Sequence, residues 1–109
     1  MKTEDKIRKQ IAENPVILYM KGVPDAPQCG FSAKASALLK ETGVSFAFVD
    51  VLNAPFIREA LPKVSHWPTF PQLFVAGELV GGSDIVEELT QQGRLKPLLE
   101  EATAKPAEA

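Results

Sequence analysis

Lys21-Gly22-Val23-Pro24-Asp25-Ala26-Pro27-Gln28-Cys29-Gly30-Phe31-Ser32 joins two segments of opposite character. Before it, Val16-Ile17-Leu18-Tyr19-Met20 is a continuous apolar run of β-formers, short enough to be a strand buried on both faces. After it, residues 33–42 read as helix, with Ala35, Leu38 and Leu39 as the apolar stripe and Gly43 as the C′ residue that ends it. Cys29 therefore stands at a strand-to-helix turn. Unpaired N–H groups and the positive end of the helix dipole favour an anion there, and Lys21 adds to the effect, so the thiol is expected to ionise more readily than a free one. A lone cysteine is more often a small buried hydrophobe. The proline-rich turn, Lys21 and the following helix weigh against that here. Ser32 stands where a second thiol would resolve a mixed disulfide, and it can offer only a hydrogen bond. Cys29 is the single cysteine of the chain. Disulfide or metal-thiolate chemistry must therefore take its second sulfur from another molecule.

Outward from this turn, Ser45-Phe46-Ala47-Phe48-Val49-Asp50-Val51 reads as the next strand. Two strands linked by a helical crossover of this length are expected to be parallel and right-handed. Asn53 is a candidate N-cap with Pro55 just inside the next helix; Ile57, Ala60 and Leu61 point inward, and Pro62 closes or bends it. Residues 72–76 and Leu79-Val80, split by Gly77-Glu78, read as an antiparallel hairpin. Gly81-Gly82 ends the hairpin, Ser83 caps a helix buried through Ile85, Val86 and Leu89, and Gly93 breaks it before a last turn or two carrying Leu95, Leu98 and Leu99. On the N-terminal side Thr3 caps a first helix, Ile7 and Ile11 share a face, and Asn14-Pro15 stops it. The reading is an α/β fold of one domain over residues 1–100, with 101–109 as a flexible tail.

Composition narrows the function. The 109 residues are 45% hydrophobic and 24% charged, values of an ordinary globular domain with one core. A formal net charge of -2 makes no electrostatic case for nucleic acid. No apolar run approaches the length of a membrane span. The mixed charges of Met1-Lys2-Thr3-Glu4-Asp5 are unlike a secretory or transit signal, so a cytoplasmic location is expected. A single cysteine fits a reducing compartment.

In sheets containing parallel strands, sites lie beyond the carboxyl ends of those strands. The expected topology gathers three loops there: the Cys29 turn, Thr69-Phe70-Pro71, and Gly82-Ser83-Asp84. A cis Phe70-Pro71 bond would turn the backbone groups of Phe70 out toward a peptide ligand, although only about 5–6% of X-Pro bonds are cis. Gly82-Ser83-Asp84 offers free N–H groups to a carboxylate, while Asp84 can hold an ammonium. Lys21 and Arg58 are candidates for a second carboxylate. Taken singly, each of these has a plainer reading as capping residue or solvated charge.

Together the motifs resemble the monothiol glutaredoxins of the thioredoxin-like fold. The likeness rests on KGxP from Lys21, CGFS at Cys29-Gly30-Phe31-Ser32, WPTFPQL from Trp67 to Leu73, and GGSD from Gly81 to Asp84, and it extends over about residues 6–99. It is nearest the short, single-domain bacterial type and implies a four-stranded mixed sheet flanked by helices. It also implies that glutathione lies across the three loops. Lys21 and Arg58 would hold its glycine carboxylate, Phe70 would pair by its backbone with the cysteinyl part, and Ser83 with Asp84 would hold the γ-glutamyl end. Thr69 and Gly82 would line the site, with Pro71 as the cis-proline. The resemblance further implies a 2Fe-2S cluster shared by a homodimer and ligated by two copies of Cys29 and two glutathione thiolates. Transfer of that cluster to acceptor proteins and pairing with BolA-like partners go with it. The alternative is a glutathione-dependent thiol-disulfide oxidoreductase acting through Cys29. Many relatives carry a second cysteine where this chain has Ser83, so an accessory disulfide is excluded. His66 is expected on a loop surface, and Phe31 and Trp67 in core or rim packing.

Overall fold

The computed structural model describes residues 2–104. The elements, in order, are α1 (Thr3–Glu13), β1 (Val16–Met20), β2 (Gly22–Val23), β3 (Ala26–Pro27), α2 (Gly30–Glu41), β4 (Ala47–Asp50), α3 (Pro55–Ser65), β5 (Gln72–Val75), β6 (Glu78–Gly81), α4 (Ser83–Gln91) and α5 (Leu95–Ala104). Four strands form one sheet in the order β4-β1-β5-β6. β1 runs parallel to β4, and β5 is antiparallel to both of its neighbours, giving the mixed sheet expected.

All five residues of β1 are buried, because the central strand feeds two cores. Val16, Leu18 and Met20 pack with Ala35, Leu39, Val86, Leu95 and Leu99, beneath α2, α4 and α5. Ile17 and Tyr19 face the opposite way and pack with Ile7, Ile11, Ile57, Leu61 and Phe74, beneath α1 and α3. Tyr19 and Phe74 meet edge to face with ring centroids 5.8 Å apart.

The hairpin between β5 and β6 turns through Ala76 and Gly77, at φ of 53° and 81°. Positive φ at both central residues matches the right-handed twist of the strands that the turn joins.

Several boundaries differ from the sequence reading. Lys2, Ala54 and Gly82 occupy the N-cap positions expected of Thr3, Asn53 and Ser83, and none makes a side-chain capping bond. The second helix begins three residues earlier than expected, with Cys29 itself as N-cap. The strand expected over 45–51 is trimmed to Ala47–Asp50. Pro62 does not close α3, which runs on to Ser65 and stops at left-handed His66, whose N–H donates to the Pro62 carbonyl at 2.9 Å. Burial of Ile57, Ala60 and Leu61 holds the helix together across the one backbone bond that proline removes. The last helix continues through Ala104, with Ala102 packed into the core, so 101–104 are helix and not tail; 105–109 lie outside the described residues. Pro97 is third in that helix, where its missing N–H has no intrahelical acceptor to lose. The two short strands β2 and β3 form a small antiparallel hairpin within the turn before Cys29, which the sequence reading left without structure.

Candidate functional site

The turn before Cys29 is tied down at nearly every backbone group of Lys21 and Gly22. The Lys21 N–H donates to Ser32 Oγ at 3.0 Å, and the Lys21 carbonyl accepts from the Gln28 N–H at 2.9 Å. The Gly22 N–H donates to Asp50 Oδ1 at 2.9 Å, the same oxygen that accepts from the Leu52 N–H ahead of α3. Asp50 thereby joins the loop of Lys21 to the entrance of the helix that carries Arg58. At the tip of the hairpin, Lys40 of α2 donates to Asp25 Oδ1 at 2.8 Å and to the Pro24 carbonyl at 3.1 Å. The Lys40 ammonium holds the Asp25 carboxyl below its ordinary value.

Cys29 is half-buried, and its extended backbone, at φ −151°, makes it the N-cap of α2. An N-cap side chain faces the N–H groups of the first helical turn. The neutral thiol makes no capping bond, but those groups are set to receive the thiolate. The Ser32 N–H is the largest influence lowering the thiol pKa from its ordinary value. Partial burial opposes it, and the Phe31 N–H, the Ser32 hydroxyl and the Lys21 ammonium lower it further.

Cys29 opens onto a cleft of about 620 Å³ lined by residues from four parts of the chain. Lys21 and Cys29 come from the first loop and Arg58 from α3. Thr69, Phe70 and Pro71 come from the loop before β5, and Gly82, Ser83 and Asp84 from the start of α4. All nine candidates from the sequence thus line one concavity. Its volume falls within the roughly 300–1,000 Å³ usual for small-molecule sites. The Phe70-Pro71 bond is cis, as the family resemblance implies. Gly82 sits close against this loop: a Cβ there would lie 3.3 Å from the Pro71 carbonyl oxygen and 3.6 Å from Trp67 Nε1. Ser83 is buried, whereas Asp84 and Arg58 are exposed.

Three lining residues were not singled out from sequence as site residues. Phe31 is 63% exposed on the rim. Pro62 lies one helical turn beyond Arg58, so the i, i+4 spacing would have found it; Pro68 belongs to the Trp67-Pro68-Thr69 run. His66 is exposed, as expected. Trp67 is half-buried, with Nε1 enclosed and without a partner among the described residues. Among the described residues no three His, Cys, Asp or Glu side chains gather into a metal site, and no helix is long and apolar enough to cross a membrane.

Residues 16–80 match the glutaredoxin family. Glutaredoxin 4 of Haemophilus influenzae strain 86-028NP is 56% identical over 107 residues, 98% of this chain and 100% of that protein. Glutaredoxin 4 of Escherichia coli K12 is 58% identical over 103 residues, 94% of this chain and 90% of that protein. Among solved structures, reduced poplar apo GrxS14 superposes with a TM-score of 0.78 at 38% identity, covering 94% of each chain.

Proposed function

We propose, because this chain belongs to the glutaredoxin family, that it binds glutathione in the Cys29 cleft and that two copies together carry a 2Fe-2S cluster as cargo for iron-sulfur assembly and iron homeostasis. The observation that carries the reading is the convergence of one activated thiol, two cations and a helix start on a single cleft. Glutathione brings two carboxylates, one ammonium, a peptide backbone and a thiol. Lys21 and Arg58 hold its glycine carboxylate, the Phe70 backbone pairs with its cysteinyl part, and Ser83 with Asp84 hold the γ-glutamyl end. Thr69, Pro71 and Gly82 shape the wall between them.

The donor chemistry of the site suits the cargo. Iron-sulfur clusters usually take four thiolates. One chain supplies one, at a half-exposed helix N-cap, so two copies of Cys29 and two glutathione thiolates complete the set. A set half made of non-covalently bound tripeptide releases its cargo readily, which suits delivery to acceptor proteins in a reducing cytoplasm. A BolA-like protein replaces one copy of the chain in a mixed dimer.

A second reading is favoured by the lowered pKa of Cys29. In it the Cys29 thiolate attacks the glutathione sulfur of a glutathionylated protein. The protein sulfur leaves as a thiolate, and a Cys29–glutathione disulfide remains. A second glutathione thiolate then attacks that disulfide, releasing the Cys29 thiolate and glutathione disulfide.

Anaerobic reconstitution with iron, sulfide and glutathione separates the two. The cargo reading expects a visible 2Fe-2S spectrum on a dimer, lost in Cys29→Ser and lost when glutathione is omitted. A colourless monomer under the full conditions overturns it, and turnover in a glutathione-coupled disulfide assay then establishes the second.

A further inference from the structure

Gln72 is fully buried at the start of β5, paired in register with Tyr19. It has no place in the ligand set proposed above. Its carboxamide nitrogen donates to the Trp67 carbonyl at 2.8 Å and to the Thr69 carbonyl at 3.2 Å, while its Oε1 is buried without a partner among the described residues. An orphaned buried acceptor is unfavourable, and an apolar side chain of similar shape would avoid it. What an amide supplies here, and an apolar side chain cannot, is the pair of donated bonds.

The second of those bonds has a consequence at the cleft. The Thr69–Phe70 peptide is trans, and in a planar trans peptide the C=O and N–H point in opposite directions. Holding the Thr69 carbonyl toward the core turns the Phe70 N–H the other way, toward the cleft that both residues line. Among the described residues that N–H donates to no backbone or side-chain acceptor.

We infer that Gln72 is a positioning residue: by holding the Thr69 carbonyl inward it aims the Phe70 N–H at a backbone carbonyl of the bound peptide ligand. The inference rests on the glutathione reading and names the device that orients one of its contacts. Gln72 touches no ligand atom itself and acts through the Thr69–Phe70 peptide plane.

The test titrates reduced glutathione into 15N-labelled wild type, Gln72→Leu and Gln72→Glu, following affinity together with the Phe70 amide signal. Wild type is expected to shift and protect that amide on binding. Gln72→Leu, with native sheet signals retained, is expected to bind about five- to tenfold more weakly, the effect of one hydrogen bond, and to lose the Phe70 response. Gln72→Glu cannot donate when ionised, but its protonated form can. Its affinity relative to wild type at the same pH is therefore expected to be low at about pH 8 and to recover toward about pH 5.5, since burial raises a carboxyl pKa. Tyr19 remains neutral throughout, its burial raising the phenol far above its ordinary value. Affinity that recovers without return of the Phe70 response would mark a merely structural glutamine and overturn the assignment.

Folded Gln72→Leu binding within twofold of wild type overturns the assignment. If neither variant folds, wild type alone decides: a Phe70 amide already protected from exchange before glutathione is added overturns it, and protection appearing only with glutathione supports it. Wild type that binds no glutathione overturns the functional reading and this inference together, whereas the other adverse outcomes overturn the inference alone.

Discussion

The reactivity of Cys29 is set mainly by backbone, and only in part by neighbouring side chains. The Ser32 N–H contributes most to the lowered pKa, and no side-chain substitution short of proline removes it. The Ser32 hydroxyl is a smaller contributor that also accepts the Lys21 N–H. In Ser32→Ala the alkylation rate of Cys29 near neutral pH is expected to fall by roughly two- to fivefold and its pH midpoint to rise. An unmoved midpoint would show that the hydroxyl plays no part. The same lowered pKa links folding to pH. The native protein releases the thiol proton before the unfolded chain does, so between the two pKa values the unfolded chain binds more protons. Stability therefore rises with pH across that window and is lost as pH falls through the native value. The difference in urea midpoint between wild type and Cys29→Ser should grow accordingly toward alkaline pH. A constant difference would refute the linkage. At this scale the sequence was informative: a cysteine between a β run and a helix, with Lys21 nearby, was enough to expect an activated thiol. It did not show that Cys29 is itself the N-cap, because only the backbone dihedrals decide which residue of the turn leaves the helix.

At the scale of elements, the loop before Cys29 is a built structure. Gly22 has φ +89°, and a Cβ there would stand 2.7 Å from both the Ala26 carbonyl oxygen and the Gln28 nitrogen. Backbone atoms of β3 and of the residue that follows it cannot yield as a flexible side chain can. Gly22→Ala is expected to cost about 2 kcal/mol or more, from positive-φ strain and steric conflict together. Equilibrium urea unfolding measures this; a loss below about 0.5 kcal/mol, the range of an ordinary surface change, would show that the hairpin is loosely held. β2 and β3 escaped the sequence reading because two-residue strands carry no periodicity. Of the two readings of Pro62, closing α3 or bending it, closure failed for a different reason. A proline signals a break through local sterics, but α3 is held by three residues buried against the sheet. The helical residues 101–104 were likewise masked by a polar, small-residue composition, although Ala102 reaches the core.

At the scale of the whole molecule, Tyr19 joins layers that are remote in sequence. Its fully buried ring packs on Phe74, and its hydroxyl donates to Gln10 Oε1 of α1 at 2.9 Å. Burial raises the phenol pKa well above the ordinary 10.0. Below that ordinary value both states hold the proton, and the interaction is fully present. Above it the unfolded chain ionises first, so stability falls as pH rises. Tyr19→Phe is expected to lose about 0.5–1.5 kcal/mol near neutral pH with the hydroxyl bond, and to show a shallower alkaline loss than wild type. Parallel alkaline limbs would show that other groups control that transition. By itself the sequence determined the order of the helices and of the four strands of the main sheet, the parallel βαβ unit, the hairpin, and a set of candidate residues that all line one cleft. These rest on periodicity, turn residues and motif spacing, which act over a few neighbouring positions. Tertiary structure alone decided that Asp50 ties the Lys21 loop to the entrance of α3 and that α3 continues past Pro62. Each of these depends on hydrogen bonds or burial between segments distant in sequence. Such interactions exist only once the strands have paired and the helices have closed over both faces of the sheet.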